Sequence, residues 1–391
     1  MPNYFSADYV FPVSAKPIPN GVVAISSHGE IIGVYEKDHP DLKNQSIEKH
    51  KGIIVPGFVN SHCHLELSHL KGKVQPNTGL IEFIKGVLGL KQFDQEEVLA
   101  AMEAADEEMQ KNGIVAVGDI SNHILSKSVK EKSKLYYHTF IELIGINPAV
   151  AREVFQKGLK LKEEFAPLPN SITPHAPYSV SKELIKEIAH FAVKSENIIS
   201  IHNQESEEEN KFFRYRTGKF LDLYEFLKQD ISFFKPQARN SLQTFTPSFP
   251  ENQRILLVHN TYTSLKDLYF VKRFNRDVYW CFCPKANLYI ENRLPKVDLF
   301  LPQDFQLTVG TDSYASNDGL CVLSELKVLH EHFPKLAFSE TIRWATLNGA
   351  KFLGIDKTFG SLEKGKKPGL NLITYTNDLQ LTRNSGVKKL I

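Results

Sequence analysis

Cysteine is scarce in this chain: there are four in 391 residues, at positions 63, 281, 283 and 321. Their spacing forms no Cys-x-x-Cys pair, so neither a disulfide framework nor a paired-cysteine zinc site is expected. Long apolar runs are also missing; nothing approaches the ~18 residues of a membrane span, and MPNYFSADYVFPVSA lacks the basic-then-apolar order of a secretory signal. A cytoplasmic location with no membrane partner follows as the expectation. Charge of one sign is absent too, since Lys+Arg 47 stand against Asp+Glu 45 for a net +2. With no basic stripe, nucleic acid is excluded as a partner and a small-molecule substrate is expected. No glycine-rich Gly-x-Gly-x-x-Gly turn follows an early strand, which weighs against a dinucleotide-binding sheet.

What is present is an ordinary globular composition, 42% hydrophobic and 24% charged, in a length that fits one barrel of roughly 250 residues plus a smaller attachment. The first fifty-odd residues read as short strands, GVVAI and IIGVYE about the turn-prone SSHGE. From IIVPGFVN onward, apolar runs alternate with helical segments through IVAVGDI, YYHTFIEL, SITPH, IISIHN, ILLVHN, VYWCFCP and FQLTVGTD. That alternation predicts parallel βαβ units and about eight strands, the count of a closed (β/α)8 TIM barrel. The tail SLEKGKKPGLNLITYTND returns to short strands. The expected organisation is a small β-sandwich domain built from both termini, residues 1–55 and 358–391, around a metal-dependent barrel over 56–357. The irregular, aromatic-rich stretch at about 206–250 is too long for an ordinary loop and is expected to form a lid-like insertion. Cys281 and Cys283, in an apolar run, are expected to be buried, inert thiols.

Four polar clusters fall at strand ends. His62 and His64 close IIVPGFVNSHCH, where alternation points both imidazoles to one face and Cys63 to the other. His202 with Glu205 follows IISI, His259 closes ILLVH, and Asp312 closes LTVGTD. The intervals accommodate whole βα units of ~35 residues, so all four clusters reach the same barrel mouth. Three imidazoles and a carboxylate suit one divalent metal ion per chain, Zn2+ or alternatively Fe2+, with a coordination position left for water.

These residues resemble the amidohydrolase superfamily over nearly the whole chain. The likeness is greatest to its chlorohydrolase and adenosine/cytosine-deaminase-like branch, on PGFVNSHCHLELS, PHAPYSVS, His202-x-x-Glu205, CPKAN, GTDSYASND and ATLNGAKFLG. Within it, HCHLELSHLKG is most similar to aminodeoxyfutalosine deaminases of menaquinone synthesis. The resemblance implies that His62, His64, His202 and Asp312 bind the metal, that Glu205 shuttles protons, and that His259 polarises water or substrate. Where binuclear relatives carry a lysine, this chain has His175, which implies a mononuclear site. The implied activity is hydrolytic deamination of an aminated purine-type nucleoside such as aminodeoxyfutalosine. The alternative is a chlorohydrolase or another amidohydrolase acting on a heterocycle or cyclic amide. Candidate substrate contacts are Glu66 with Ser68, His175 with Tyr178, and, in KFFRYRTGKF, the aromatic residues Phe212, Phe213 and Tyr215 with Arg214 and Arg216, the arginines being placed to grip a carboxylate. Asn287 is expected to line the mouth or to cap its strand. A homodimer is the expectation for assembly.

Overall fold

The computed structural model describes residues 2–90, 93–273, 277–377 and 379–391. Eight parallel strands carry the central layer: β1 (Phe58–Cys63), β2 (Ile114–Ser121), β3 (Tyr136–Leu143), β4 (Asn170–Pro174), β5 (Ile199–Asn203), β6 (Arg254–His259), β7 (Asp277–Phe282) and β8 (Gln306–Val309). They pair as two four-stranded sheets, one of β1 to β4 and one of β5 to β8, each in chain order. Bonds cross both gaps between the sheets. Thr311 and Asp312 donate their backbone N–H to the carbonyl of His62, each at 3.1 Å, and His202 N–H donates to the carbonyl of His175 at 3.0 Å. The first of these approaches requires Gly310, where a Cβ would stand 2.8 Å from both Cβ and O of His62.

Every residue of β1 and β5 is buried, as expected of parallel strands covered on both faces. The cover is helical. In Gln95–Lys111, capped by Asp94 accepting from Glu96 N–H, the buried Val98, Met102, Ala105 and Met109 recur at helical spacing and supply one apolar stripe. Lys182–Val193 begins at Ser181, whose hydroxyl accepts from Leu184 N–H at 3.2 Å, and buries Leu184, Ile185, Ile188, Ala189 and Ala192. Each fully buried leucine or isoleucine in such a stripe contributes about 1.5–3 kcal/mol.

The two chain ends meet in one sheet. Leu370–Thr374 pairs antiparallel with Ile53–Pro56, and the five-stranded order runs 386–389, 370–374, 53–56, 9–10, 18–19. A second, four-stranded sheet holds 31–35, 22–25, 3–6 and 47–49. Phe5, Val23, Ile25 and Ile31 of one share an apolar cluster with Val10, Ile54, Leu370 and Leu372 of the other. The run IIVPGFVN, which reads as one strand, is therefore two, in different sheets, broken at Gly57. A Cβ there would meet the carbonyl oxygen of Pro368 at 2.6 Å. Among the described residues no helix is long and apolar enough to cross a membrane.

The 206–250 segment differs from the irregular stretch expected. It contains the helices Glu207–Tyr215, Phe220–Phe226 and Ser241–Phe245. Four of its aromatics are core: Phe212, Phe213, Phe220 and Tyr224 are buried with Leu80, Ile81, Tyr178 and Ile290 in a single cluster, whereas Tyr215 and Phe226 are exposed.

Candidate active site

The C-terminal ends of the strands bring the sequence-predicted polar residues to one point. His64 Nε2 lies 3.1 Å from His62 Nε2 and 3.3 Å from His202 Nε2. Asp312 Oδ1 stands 3.6 Å from His62 Nε2 and 3.5 Å from His64 Nε2. His259 joins them, its ring centroid 5.5 Å from that of His202.

Hydrogen bonds around the rim decide which atoms remain as donors of lone pairs. His202 Nδ1 lies 2.8 Å from the carbonyl oxygen of His175, an acceptor, so Nδ1 carries the proton and Nε2 is bare. His259 Nδ1 likewise faces Asn287 Oδ1 at 2.8 Å, with Nε2 toward the site; Asn287, at the end of CPKAN, orients that ring. Asp312 Oδ2 accepts from Ser316 Oγ at 2.5 Å, which leaves Oδ1 to the imidazoles. Bare imidazole nitrogens gathered about a carboxylate oxygen repel one another unless a cation sits among them, and the donor set fits a first-row divalent ion. The nitrogens of His62, His202 and His259, and those of His62 and His64 with Asp312, form such groups, with atoms within 4.8 Å of one another.

Burial tunes the protonation states. It pushes His64 down to about 3, helped by neighbouring His62, and drives His202 well below the usual histidine range, helped by His175. For Asp312 burial pulls upward, but the bond from His62 and the charges of His64 and His259 together hold it well below the ordinary carboxyl value. Glu205 goes the other way: burial first, then the charges of Asp312 and Glu291, raise it well above the ordinary value. Its Oε1 is 3.6 Å from His259 Nε2. A carboxyl biased toward its protonated form thus stands beside an imidazole that burial biases toward its neutral form.

The backbone is held for this purpose. His259 at φ 72° and Asp312 at φ 56° occupy the left-handed region, which costs about 1–3 kcal/mol each and persists where surroundings enforce it. Gln204, just before Glu205, donates to Asn210 Oδ1 and Asp267 Oδ2 and accepts from Thr263 Oγ1 at 2.8 Å. Below His64, the fully buried pair Lys130 Nζ–Asp119 Oδ2 at 2.6 Å leaves Asp119 Oδ1 to accept from Leu65 N–H at 2.7 Å.

These groups open into a cavity of about 650 Å3. His64, His175, Tyr178, His202, Glu205, His259 and Asp312 line its floor, while Leu80, Phe83, Ile84, Val87, Leu223 and Leu227 give an apolar wall. Four of the expected substrate contacts are placed elsewhere. Arg214 is exposed, Arg216 is half-buried, and neither lines the cavity, whose lining among the described residues contains no arginine or lysine. Glu66 lies behind the cavity, both its oxygens accepting from Asn122 N–H at 3.1 and 3.0 Å. Ser68 Oγ turns to the carbonyl of Leu65. Sequence reasoning passed over Glu142 and Asn122, which do line the cavity; the signal for Glu142 is the lone acid at the end of the apolar strand YYHTFIEL. Cys281 and Cys283 are buried, and burial raises the Cys283 thiol well above its usual value, so it stays protonated and unreactive.

Parallel strands backed by helices, with imidazoles and one carboxylate converging at the strand ends, define a metal-dependent hydrolase. The chain belongs to the amidohydrolase family, whose model matches residues 53–390. It is 28% identical over 354 residues to an adenosine deaminase of Helicobacter pylori, covering 88% of this chain and 84% of that protein. It is 26% identical over 380 residues to the aminodeoxyfutalosine deaminase of a Nitratiruptor species, covering 93% and 89%. In three dimensions it resembles the Helicobacter pylori aminofutalosine deaminase solved with methylthio-coformycin, with a TM-score of 0.83 at 23% identity over 97% of this chain and 93% of that one.

Proposed function

We propose that this chain is a hydrolytic deaminase of aminated purine nucleosides, aminodeoxyfutalosine of menaquinone synthesis among them. The observation that carries the reading is the buried Glu205 carboxyl held 3.6 Å from His259 Nε2 beside the His62, His64, His202 and Asp312 cluster, in surroundings that favour its protonated form. The deaminases it resembles in sequence support it. His62, His64, His202 and Asp312 would hold one ion per chain, zinc on ligand chemistry and iron(II) as the alternative. Such an ion acidifies water so that hydroxide is available near neutral pH. Asp312 and the unprotonated His259 orient the attacking water and take its proton. Glu205 gives its proton to the ring nitrogen beside the attacked carbon, takes the second water proton from the added hydroxyl and passes it to the departing amine; the first water proton, held by Asp312 and His259, then returns to Glu205 and restores the starting state. Water and the aminopurine are consumed; the carbonyl product and ammonia leave.

The reading includes an architecture. We take the two parallel sheets as one closed (β/α)8 barrel over 56–357, supported by the bonds from Thr311 and Asp312 to His62 and from His202 to His175. Residues 1–55 and 358–391 form the β-sandwich domain, supported by the apolar cluster its two sheets share. The 206–250 insertion serves as a wall, through Leu223, Tyr224 and Leu227.

The test is ammonia release from metal-loaded protein with adenosine, 5′-methylthioadenosine, S-adenosylhomocysteine and aminodeoxyfutalosine, alongside metal analysis. Turnover of at least one at about one ion per chain is expected. Loaded protein that releases ammonia from none of them would falsify the reading.

A further inference from the structure

Glu142, next to last in β3, has its side chain only 3% exposed. One oxygen is satisfied: Oε2 accepts from Asn122 Nδ2 at 3.0 Å. The other, Oε1, is buried and has no hydrogen-bond partner among the described residues. His202 Nδ1 stands 3.7 Å away, beyond hydrogen-bond distance, and its proton is already given to the carbonyl of His175 at 2.8 Å. Leaving a buried acceptor unpaired costs about 1–3 kcal/mol, more when it is charged. Such an atom calls for a partner that arrives from outside. Glu142 lines the cavity between the imidazole floor and Ile144 and Ile146, where the apolar wall begins.

A second cation is a poor candidate for that partner. Glu142, His175 and His202 do lie close enough to form a ligand group. However, His202 Nδ1 is protonated and its Nε2 faces His64, so that imidazole has no lone pair left for a second ion. The partner is therefore a hydrogen-bond donor on the substrate. If the substrate is an aminopurine nucleoside, as the function proposed above holds, its reacting amine is committed to the floor. The rest of the purine edge offers only acceptor nitrogens and C–H groups, so the remaining donors are the sugar hydroxyls.

We propose that Glu142 is a sugar-specificity residue: its free carboxylate oxygen accepts a hydrogen bond from a ribose hydroxyl, so that the site selects ribonucleosides over deoxynucleosides. Asn122 acts with it as a positioning residue, because its amide holds Oε2 and so aims Oε1 into the cavity. The selection is built on a buried polar group that the deoxy substrate leaves unpaired, the arrangement that discriminates most strongly against a missing hydroxyl.

The test compares kcat/KM for adenosine, 2′-deoxyadenosine and 3′-deoxyadenosine in the metal-loaded wild type and in Glu142→Ala. In the wild type, loss of one hydroxyl is expected to lower kcat/KM on the order of 100-fold. In Glu142→Ala that ratio should fall to within about threefold of one, because adenosine loses its advantage while the deoxy substrate loses little. Glu142→Gln serves if the alanine variant fails to fold: Asn122 draws the amide carbonyl, the cavity receives an N–H2 in place of the acceptor, and the ratio should drop likewise. A wild type indifferent to both hydroxyls, or folded variants that keep the full ratio, would overturn the proposal. Calorimetric binding of the same three nucleosides separates it from the function above. A ribose preference in binding, with no ammonia released from these or from the other nucleosides named above, leaves the role of Glu142 standing and removes the deaminase reading, whereas no binding of any of the three overturns the role of Glu142 and leaves the deaminase reading to that wider panel.

Discussion

Glu205 shows how a single position acquires its role. It follows His202 by three residues, at the end of β5, and Gln204 beside it is bound on three sides, so the carboxyl has little freedom to leave His259. Burial and two neighbouring acids favour its protonated form, so its proposed contribution to the reaction is a proton, not a charge. Glu205→Gln preserves size and hydrogen-bonding shape but cannot relay that proton. Metal content per chain should be unchanged, while kcat falls about 10²–10⁴-fold, the usual contribution of a positioned acid. Metal analysis and steady-state rates on the same preparation check both halves, and an unchanged kcat would take Glu205 out of the chemistry.

At the scale of elements, the helix Phe220–Phe226 joins the hydrophobic core to the cavity wall. Phe220 is fully buried, its ring 4.5 Å from that of Tyr178, and one turn on, Leu223 and Tyr224 line the cavity. Phe220→Ala should cost about 3–5 kcal/mol, seen as a lower Tm, and should raise KM several-fold with kcat little altered. A fall in kcat at constant KM would instead place this helix in the chemical step. The element also marks where the sequence stops being legible. The four strand-end clusters are readable because alternation and strand termini are local signals, and the structure brings His62, His64, His202 and Asp312 together. The helices of 207–215, 220–226 and 241–245 are 9, 7 and 5 residues long, too short for a helical period to emerge. Their aromatics read as ligand platforms because their true neighbours, Leu80, Tyr178 and Ile290, lie far away in sequence. Arg214 was placed at the substrate by the same error; it lies on the exposed face of its helix. Glu142 carries no spacing signal, and only the fold shows that one of its oxygens is left over.

For the whole molecule, buried acids set the alkaline side of stability. Burial pushes Glu66, Glu209 and Glu325 each up to about 8. A carboxyl with a folded pKa above its unfolded value binds more protons in the native state. Its stabilisation is complete below about 4.5 and is lost as pH rises through about 8. Tm should therefore decline between about pH 5 and 8 and level off above that range. In Glu325→Gln the decline should be shallower, although the variant is less stable overall, because Asn317 Nδ2 and Lys285 N–H both donate to this side chain. Thermal unfolding of both proteins across that range gives the slopes, and parallel slopes would mean that Glu325 does not take part in the titration. Histidines act on the acid side: His138, held down to about 3 by burial, opposes folding below about 6.5, where the unfolded chain takes up its proton.

The break at Gly57 places β1, with its two metal-site histidines, immediately after a strand whose antiparallel partner is Leu370–Thr374. The carbonyl of His62 is likewise met by Thr311 and Asp312. On the ribosome, then, the histidine pair emerges early yet has neither neighbour until almost all of the chain has been made. The nascent chain therefore carries this histidine pair without its barrel neighbours through most of its synthesis.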